Sequence, residues 1–135
     1  MNSRYITDTH ALIWHLQSHA NLSSKAQTIF DDADNGEVVI FIPTIVLVEI
    51  IYLTEKGRIA QDLVQSVLQL LQSGSSNYQI APLDLSTVQS LAQISRTVVP
   101  DMPDRIIAAT ALTLSAPLLS RDSAIAQSAQ IQVIW

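Results

Sequence analysis

Five carboxylates stand at four separate places in this chain, close to points where the sequence should change secondary structure. Asp8 ends a strand-like start, RYITD, and Glu49 interrupts the apolar run IVLVEIIYL. Asp101 and Asp104 flank a proline that opens a helical stretch, DMPDRIIAATAL, and Asp122 follows a short apolar strand, PLLSRD. A carboxylate is costly in apolar surroundings unless something neutralises it. If the fold gathers these acids, a hard cation such as Mg²⁺ or Mn²⁺ is the natural neutraliser, since such ions prefer oxygen ligands. The chemistry expected of the cluster is metal-dependent and directed at phosphates.

Each acid also has a plainer use. Asp8 precedes Thr9-His10 at a helix start, where Asp is a favoured cap and sits well in the helix dipole. Asp122 repeats that pattern, with Ser120 two residues earlier as a hydroxyl able to support a metal ligand. Glu49 has four apolar residues on each side, counting Tyr52. A helix buried nearly all round would have to bury it in an ion pair with an arginine, unless it points into a cleft. With Pro103 as the first helical residue, Met102 becomes the cap and Asp104 falls in the first turn, among free backbone N–H groups. His10, His15 and His19 fall five and four residues apart, with only His15 and His19 on one helical face, and surface or cap roles suit them better than a metal site. Trp14 reads as core packing alongside Leu12, Ile13 and Leu16.

The elements that must position these acids alternate along the chain. Residues 4–8 read as a buried strand and THALIWHL as a helix with Thr9 as its cap. SSKAQTIFDDADNG is a second helix stopped by Asn35-Gly36, and EVVIF a strand. From Pro43 a helix runs towards Gly57, and AQDLVQSVLQLLQSG forms another, ended by Ser73-Gly74-Ser75-Ser76. YQIAPL is a strand, STVQSLAQI a helix capped by Ser86, and DRIIAATALTLS a helix begun by Pro103. PLLS, a short helix at residues 122–129, and IQVIW complete the chain. Such alternation predicts an α/β fold with a parallel sheet and helices on both faces. In open parallel sheets ligands bind beyond the carboxyl ends of the strands, where strand order reverses, and Asp8 and Asp122 both sit at strand carboxyl ends.

Composition narrows the class further. The 135 residues suit one domain spanning 1–135. Only 14% are charged, against roughly 25% in ordinary soluble chains. With mean hydropathy +0.28, polar groups are too scarce to cover a monomer comfortably, which points to a homodimer or an obligate partner. Absence of cysteine excludes disulfides and thiolate zinc sites and fits a reducing cytoplasm. The start MNSRYITDTH lacks a signal-peptide core, so a cytoplasmic location is expected. VVIFIPTIVLVEIIYL is short for a membrane span and broken by Pro43, Thr44 and Glu49, so a strand-turn-helix is expected there. A net charge of −5 is the wrong sign for easy nucleic-acid binding, yet Arg105 and Arg121 lie directly beside site acids. Either they contact phosphate or they pair with those acids.

Taken together, ITDTHALIW, VEIIYLTEKGRI, DMPDRIIAATAL and LLSRDSAI resemble, in order and spacing, the PIN domains of VapC-type toxins of bacterial toxin–antitoxin pairs. The resemblance covers essentially the whole chain. It implies a five-stranded parallel sheet in the order 3-2-1-4-5. It also implies that Asp8, Glu49, Asp104 and Asp122 are catalytic metal-binding acids, with Ser120 and Thr9 as supporting hydroxyls. Asp101 occupies a place where the subfamily often has a further acid, and its role stays open. The expected activity is Mg²⁺- or Mn²⁺-dependent endoribonuclease cleavage with one or two ions, and the expected partners are RNA and a cognate antitoxin. One departure is the chain's acidity, since the family surface is often more basic.

Other readings fit less well. A receiver domain would need an acidic pair after the first strand and a lysine after the fifth, but the last lysine is Lys56. A haloacid-dehalogenase-type phosphatase would need Asp at position 10, which is His10. A stand-alone RNA-processing PIN nuclease and a non-catalytic PIN scaffold that binds a protein partner remain as alternatives within the resemblance.

Overall fold

In the computed structural model, which describes residues 3–74 and 77–135, strands and helices alternate as the apolar patterning predicts. The first half comprises β1 (Ser3–Thr7), α1 (Thr9–Leu16), α2 (Ser24–Asp34), β2 (Val38–Pro43), α3 (Thr44–Glu55) and α4 (Asp62–Gln72). The second comprises β3 (Tyr78–Ala81), α5 (Leu85–Leu91), α6 (Met102–Leu114), β4 (Leu118–Leu119), α7 (Ser123–Ala126) and β5 (Val133–Ile134). The strands form one sheet in the order β3-β2-β1-β4-β5, with every neighbouring pair parallel. This is the expected α/β architecture, with helices on both faces.

β-branched and leucine side chains make the sheet a buried layer. Ile6, Ile40, Ile42, Leu118 and Leu119 have no exposure at all, and Leu12, Phe30, Val46, Ile107 and Ile125 close over them. Fully burying one such side chain stabilises a fold by about 1.5–3 kcal/mol. β1 lies between β2 and β4, so strand order reverses at the β1/β4 boundary. There Ile6 and Thr7 pair with Leu118 and Leu119, and the Asp8 amide donates to the Leu119 carbonyl at 3.2 Å. The parallel register thus sets Asp8 and Ser120 side by side, one residue past their strands, in the crevice where such sheets bind ligands.

The caps of α1, α5 and α6 are all carboxylates. Asp8 caps α1, the first of the two residues expected there, while α5 is capped by Asp84, not Ser86, and α6 by Asp101, not Met102. A carboxylate accepts a first-turn N–H better than a thioether can, and a cap of this kind contributes about 1 kcal/mol. Pro103 is consequently the second residue of α6 rather than the first, which the first turn tolerates because its N–H groups have no helical partner anyway. Asn35-Gly36 does end α2, Gly36 taking φ +78, where glycine carries no steric penalty. α7 is shorter than residues 122–129, and β2 longer than EVVIF because Ile42 and Pro43 still pair with Ile80 and Ala81. Of the expected stop after α4, Ser75 and Ser76 lie outside the described residues.

The apolar run over 38–53 resolves into β2 and the start of α3, and among the described residues no helix is long and apolar enough to cross a membrane. The expectation that α3 is buried nearly all round is overturned. Val46 and Ile50 face the core, but Val48, Ile51 and Tyr52 are 43%, 45% and 59% exposed. One stripe of the helix packs inward, and its other side stays open.

Candidate active site

Three helix starts and one helix interior bring the acids together. Asp8, Asp101 and Asp122 cap α1, α6 and α7, accepting from the amides of Ala11 at 2.8 Å, Asp104 at 3.3 Å and Ile125 at 2.9 Å. Asp104 follows in the first turn of α6, and Glu49 projects from the second turn of α3. All five line one pocket of about 430 Å³, with His10, Trp14 and Arg121 as its other walls. Capping occupies one oxygen of a carboxylate that has two, so a cap and a site acid are compatible uses of the same side chain.

Hydroxyl groups hold two of the acids in place. Thr9, buried as the first residue of α1, donates to Glu49 Oε1 and so links α1 to α3 across the pocket. Ser120, 1% exposed, accepts from the Asp122 amide at 3.0 Å and hydrogen-bonds the Asp8 carboxylate. It therefore joins the ends of the two strands that part at the crevice.

Electrostatically the pocket is unbalanced. Burial pushes Asp8 above its ordinary value; the Ser120 and Ala11 hydrogen bonds and nearby His10 pull it down, and Asp122 adds to the rise. Asp104 is pushed up to about 8, first by burial, then by the charges of Asp122 and Asp101, by a hydrogen bond shared with Asp122, and by the charge of Glu49. Among the described residues no lysine or arginine pairs with any carboxylate; the one ion pair is His15–Asp34. Crowded like charges of this sort lose a proton reluctantly unless a cation arrives. An all-oxygen donor set whose carboxylates form no ion pair with a lysine or arginine among the described residues fits a hard divalent ion.

The two arginines separate clearly. Arg105 donates from Nε to the Ile94 carbonyl at 3.0 Å and from Nη2 to the Leu91 carbonyl at 3.1 Å, tying the end of α5 and the chain after it to α6. It lines no part of the pocket and pairs with no acid. Arg121 does line it, with its guanidinium carbon 4.6 Å from the centre of the Trp14 ring.

Trp14, expected in the core, is half-buried and packs against it while also lining the pocket, and His10, expected at the surface, is exposed and lines the pocket too. Their spacing of four along α1 was the available signal, since it puts both on one helical face. His15 and His19 do not share such a face, because α1 ends at Leu16. His15 stacks on Phe30 and contacts Asp34 at 3.1 Å, on a different side of α1 from the acids.

With the geometry in hand, similarities to known proteins can be placed. The sequence matches the family model of the PIN domain over residues 5–130. No curated protein sequence matches it. Among solved structures, a chain of VapBC2 from Rickettsia felis, bound to a DNA fragment from their promoter, superposes with TM-score 0.71 at 18% identity over 97% of each chain. A chain of DNA-bound VapBC from Salmonella typhimurium gives 0.68 at 16% identity, over 99% of this chain and 98% of that one. A chain of FitAcB from Neisseria gonorrhoeae gives 0.64 at 20% identity, over 97% and 96%.

Proposed function

The chain belongs to the PIN domain family, and from that premise we propose that it is a divalent-metal-dependent endoribonuclease of the VapC toxin type. One observation carries this reading: five carboxylates face one pocket at the sheet's switch point, and no protein cation pairs with them. Asp8, Glu49, Asp104 and Asp122 would hold Mg²⁺ or Mn²⁺, one ion or two, with Asp101 at the exposed rim. When bound, the ion supplies a Lewis acid that activates water and stabilises charge on a leaving oxygen.

The protein's own groups do the positioning. Thr9 fixes the Glu49 carboxylate, and Ser120 fixes Asp8 while tethering the loop that carries Asp122. Without a cation, burial and the charges of Asp122 and Asp101 push Asp104 up to about 8, so it keeps its proton near neutral pH. Arg121 is the one arginine at the pocket and is free of carboxylate partners among the described residues, which supports contact with a substrate phosphate. The capture of Arg105 by two carbonyls supports a structural role there instead. Hydrolysis by water leaves the RNA 2′-hydroxyl uninvolved, so products carry 5′-phosphate and 3′-hydroxyl ends; 2′,3′-cyclic phosphate ends would sink this mechanism.

Incubation of the purified protein with mixed cellular RNA and Mg²⁺, Mn²⁺ or EDTA tests the activity. Metal-dependent cutting, lost in an Asp8→Asn/Asp104→Asn double variant, is the expected result. Folded protein that neither cuts nor binds metal would turn the reading towards a scaffold.

A protein partner belongs to the same proposal. The similar chains come from structures of VapBC2 from Rickettsia felis and FitAcB from Neisseria gonorrhoeae, and another from a toxin-antitoxin complex from Klebsiella pneumoniae. In this chain Val48, Ile51 and Tyr52 on α3, with Leu83, Leu85 and Val88 around the start of α5, expose apolar surface that supports pairing with a second copy or an antitoxin. Light scattering on the wild type and on a Val48→Glu/Tyr52→Glu variant tests the homodimer. Purification from native cells without any small co-purifying protein would count against the antitoxin.

A further inference from the structure

The pocket has two unlike halves. Five of its walls are carboxylates, and the other three, His10, Trp14 and Arg121, are flat π systems. An ion would use the first half, and a phosphate would need from the second only the N–H edge of Arg121, which leaves the flat faces to another group. Building on the nuclease reading above, we propose that Arg121, Trp14 and His10 form a shelf on which an unpaired nucleobase stacks, next to the phosphate at the acids.

Arg121 is the telling residue. It follows Ser120 and precedes Asp122, and it shares the pocket with four more carboxylates, yet it pairs with none of them. It lies over the indole of Trp14 at 4.6 Å instead. The guanidinium carbon sits over the indole while Arg121 itself is exposed, so part of its planar group stays open to solvent. Bases of single-stranded RNA stack on arginine planes as they do on aromatic rings. The N–H edge of the same group stays available for phosphate, so the phosphate contact proposed above and the stacking use different parts of one side chain.

The shelf is held still by its surroundings. The Trp14 ring meets that of Trp135 at 5.8 Å with a 58° tilt, and that of His19 at 6.0 Å with a 25° tilt. His10, one helical turn earlier, lies 5.6 Å from Trp14 with its ring tilted by 46°, and adds an exposed flanking ring to the shelf. Trp14 and Asp8 belong to the same helix and its cap, so the distance between shelf and acids is set by α1 itself. Preorganisation of this kind spares the cost of ordering side chains on binding. Every base has a π face, so the shelf selects for an unpaired base rather than for a particular one. A base inside a duplex cannot reach it, which makes loops, bulges and single strands the substrate class.

The test is binding of a labelled eight-residue oligouridylate in Ca²⁺, beside a set in which one nucleotide at a time is abasic but keeps its phosphate. One abasic position should weaken binding on the order of tenfold, within the range measured for loss of a single base stack. Arg121→Lys keeps the charge and removes the plane. It should lose about as much on the intact strand, and lose nothing more at that abasic position. His10→Ala should lose less, and Trp14→Leu is informative only if circular dichroism shows it folded, which is why the lysine variant decides. Equal binding at every abasic position, or wild-type binding by Arg121→Lys, overturns the shelf while the nuclease stands. Failure of the wild type to bind or cut any RNA overturns both.

Discussion

Two places in this molecule gather carboxylates beside a histidine, and they are solved in opposite ways. Around His15, Asp31 and Asp34, donor atoms lie within 4.8 Å of one another, the tighter geometry of the two for a metal. Yet Asp34 already has partners: the Tyr78 hydroxyl donates to Oδ1 at 2.6 Å, and the His15 ring lies 3.1 Å from Oδ2. Burial and the charge of Asp34 hold the Tyr78 phenol well above its ordinary value, so it stays a donor. In the pocket of Asp8, Glu49, Asp101, Asp104 and Asp122 the acids have only amides, hydroxyls and one another. The difference teaches that unmet charge, rather than closeness of acids alone, is what supports the metal site proposed above. A tethered carboxylate is stabilising structure, while a crowd of unpaired ones is an electrostatic cost that a bound cation would relieve.

The comparison breaks most sharply in activity. Asp104→Asn should lower metal-dependent RNA cleavage by at least about two orders of magnitude, the upper end of what removing even an outer partner of a metal ligand costs. His15→Ala should leave the cleavage rate as it is, by the same assay. Equal losses in the two variants would erase the distinction.

A next effect is in stability. Mn²⁺ at about 100 times its dissociation constant should stabilise the fold by about 2.7 kcal/mol, read as a rise in Tm that EDTA reverses. The rise should vanish in the Asp8→Asn/Asp104→Asn variant and survive in His15→Ala. Retention in the first and loss in the second would move the metal to the α1/α2 cluster.

A further effect on stability comes from pH in the absence of metal. Asp104 ionises ordinarily at 3.8 and is pushed up to about 8 in the fold. Below 3.8 both states hold the proton, so the group adds no slope. Between 3.8 and about 8 the folded chain keeps a proton that the unfolded chain has lost, so stability falls as pH rises. Chemical denaturation across this window should show the decline in the wild type and a flatter profile in Asp104→Asn. A wild-type stability that climbs through the same window would contradict the crowding.

The smallest change is expected at the satisfied cluster. Tyr78→Phe removes one hydrogen bond to Asp34 and should cost about 1 kcal/mol, a drop in Tm of a few degrees by calorimetry, with cleavage unaltered. A much larger loss would mean that the Tyr78 hydroxyl supports more than this one bond to the exposed Asp34.

How much of this was legible beforehand follows from the range of the forces involved. Asp8, Glu49, Asp104 and Asp122 stand out in the bare sequence because local rules apply to them: a carboxylate after a short apolar strand, or inside an apolar run, has few uses. The alternation of strands and helices is equally local, and it determined a parallel sheet whose carboxyl edge would hold the ligand. Periodicity along one segment cannot say what that segment packs against. Arg105 and Arg121 each sit next to an acid in sequence, but the carbonyls of Leu91 and Ile94 claim the first and the indole of Trp14 the second. Both partners are distant along the chain, so only the docking of α5 on α6 and of α1 beside β4 decided which arginine faces the pocket. The same holds for Trp14, which packs against the core yet also lines the pocket, and for α3, whose apolar run on both sides of Glu49 conceals an open side. Residue types and their spacing determined what chemistry was possible here. Tertiary packing decided which charges were left unmet, because pairing depends on neighbours that the chain brings together only when it folds.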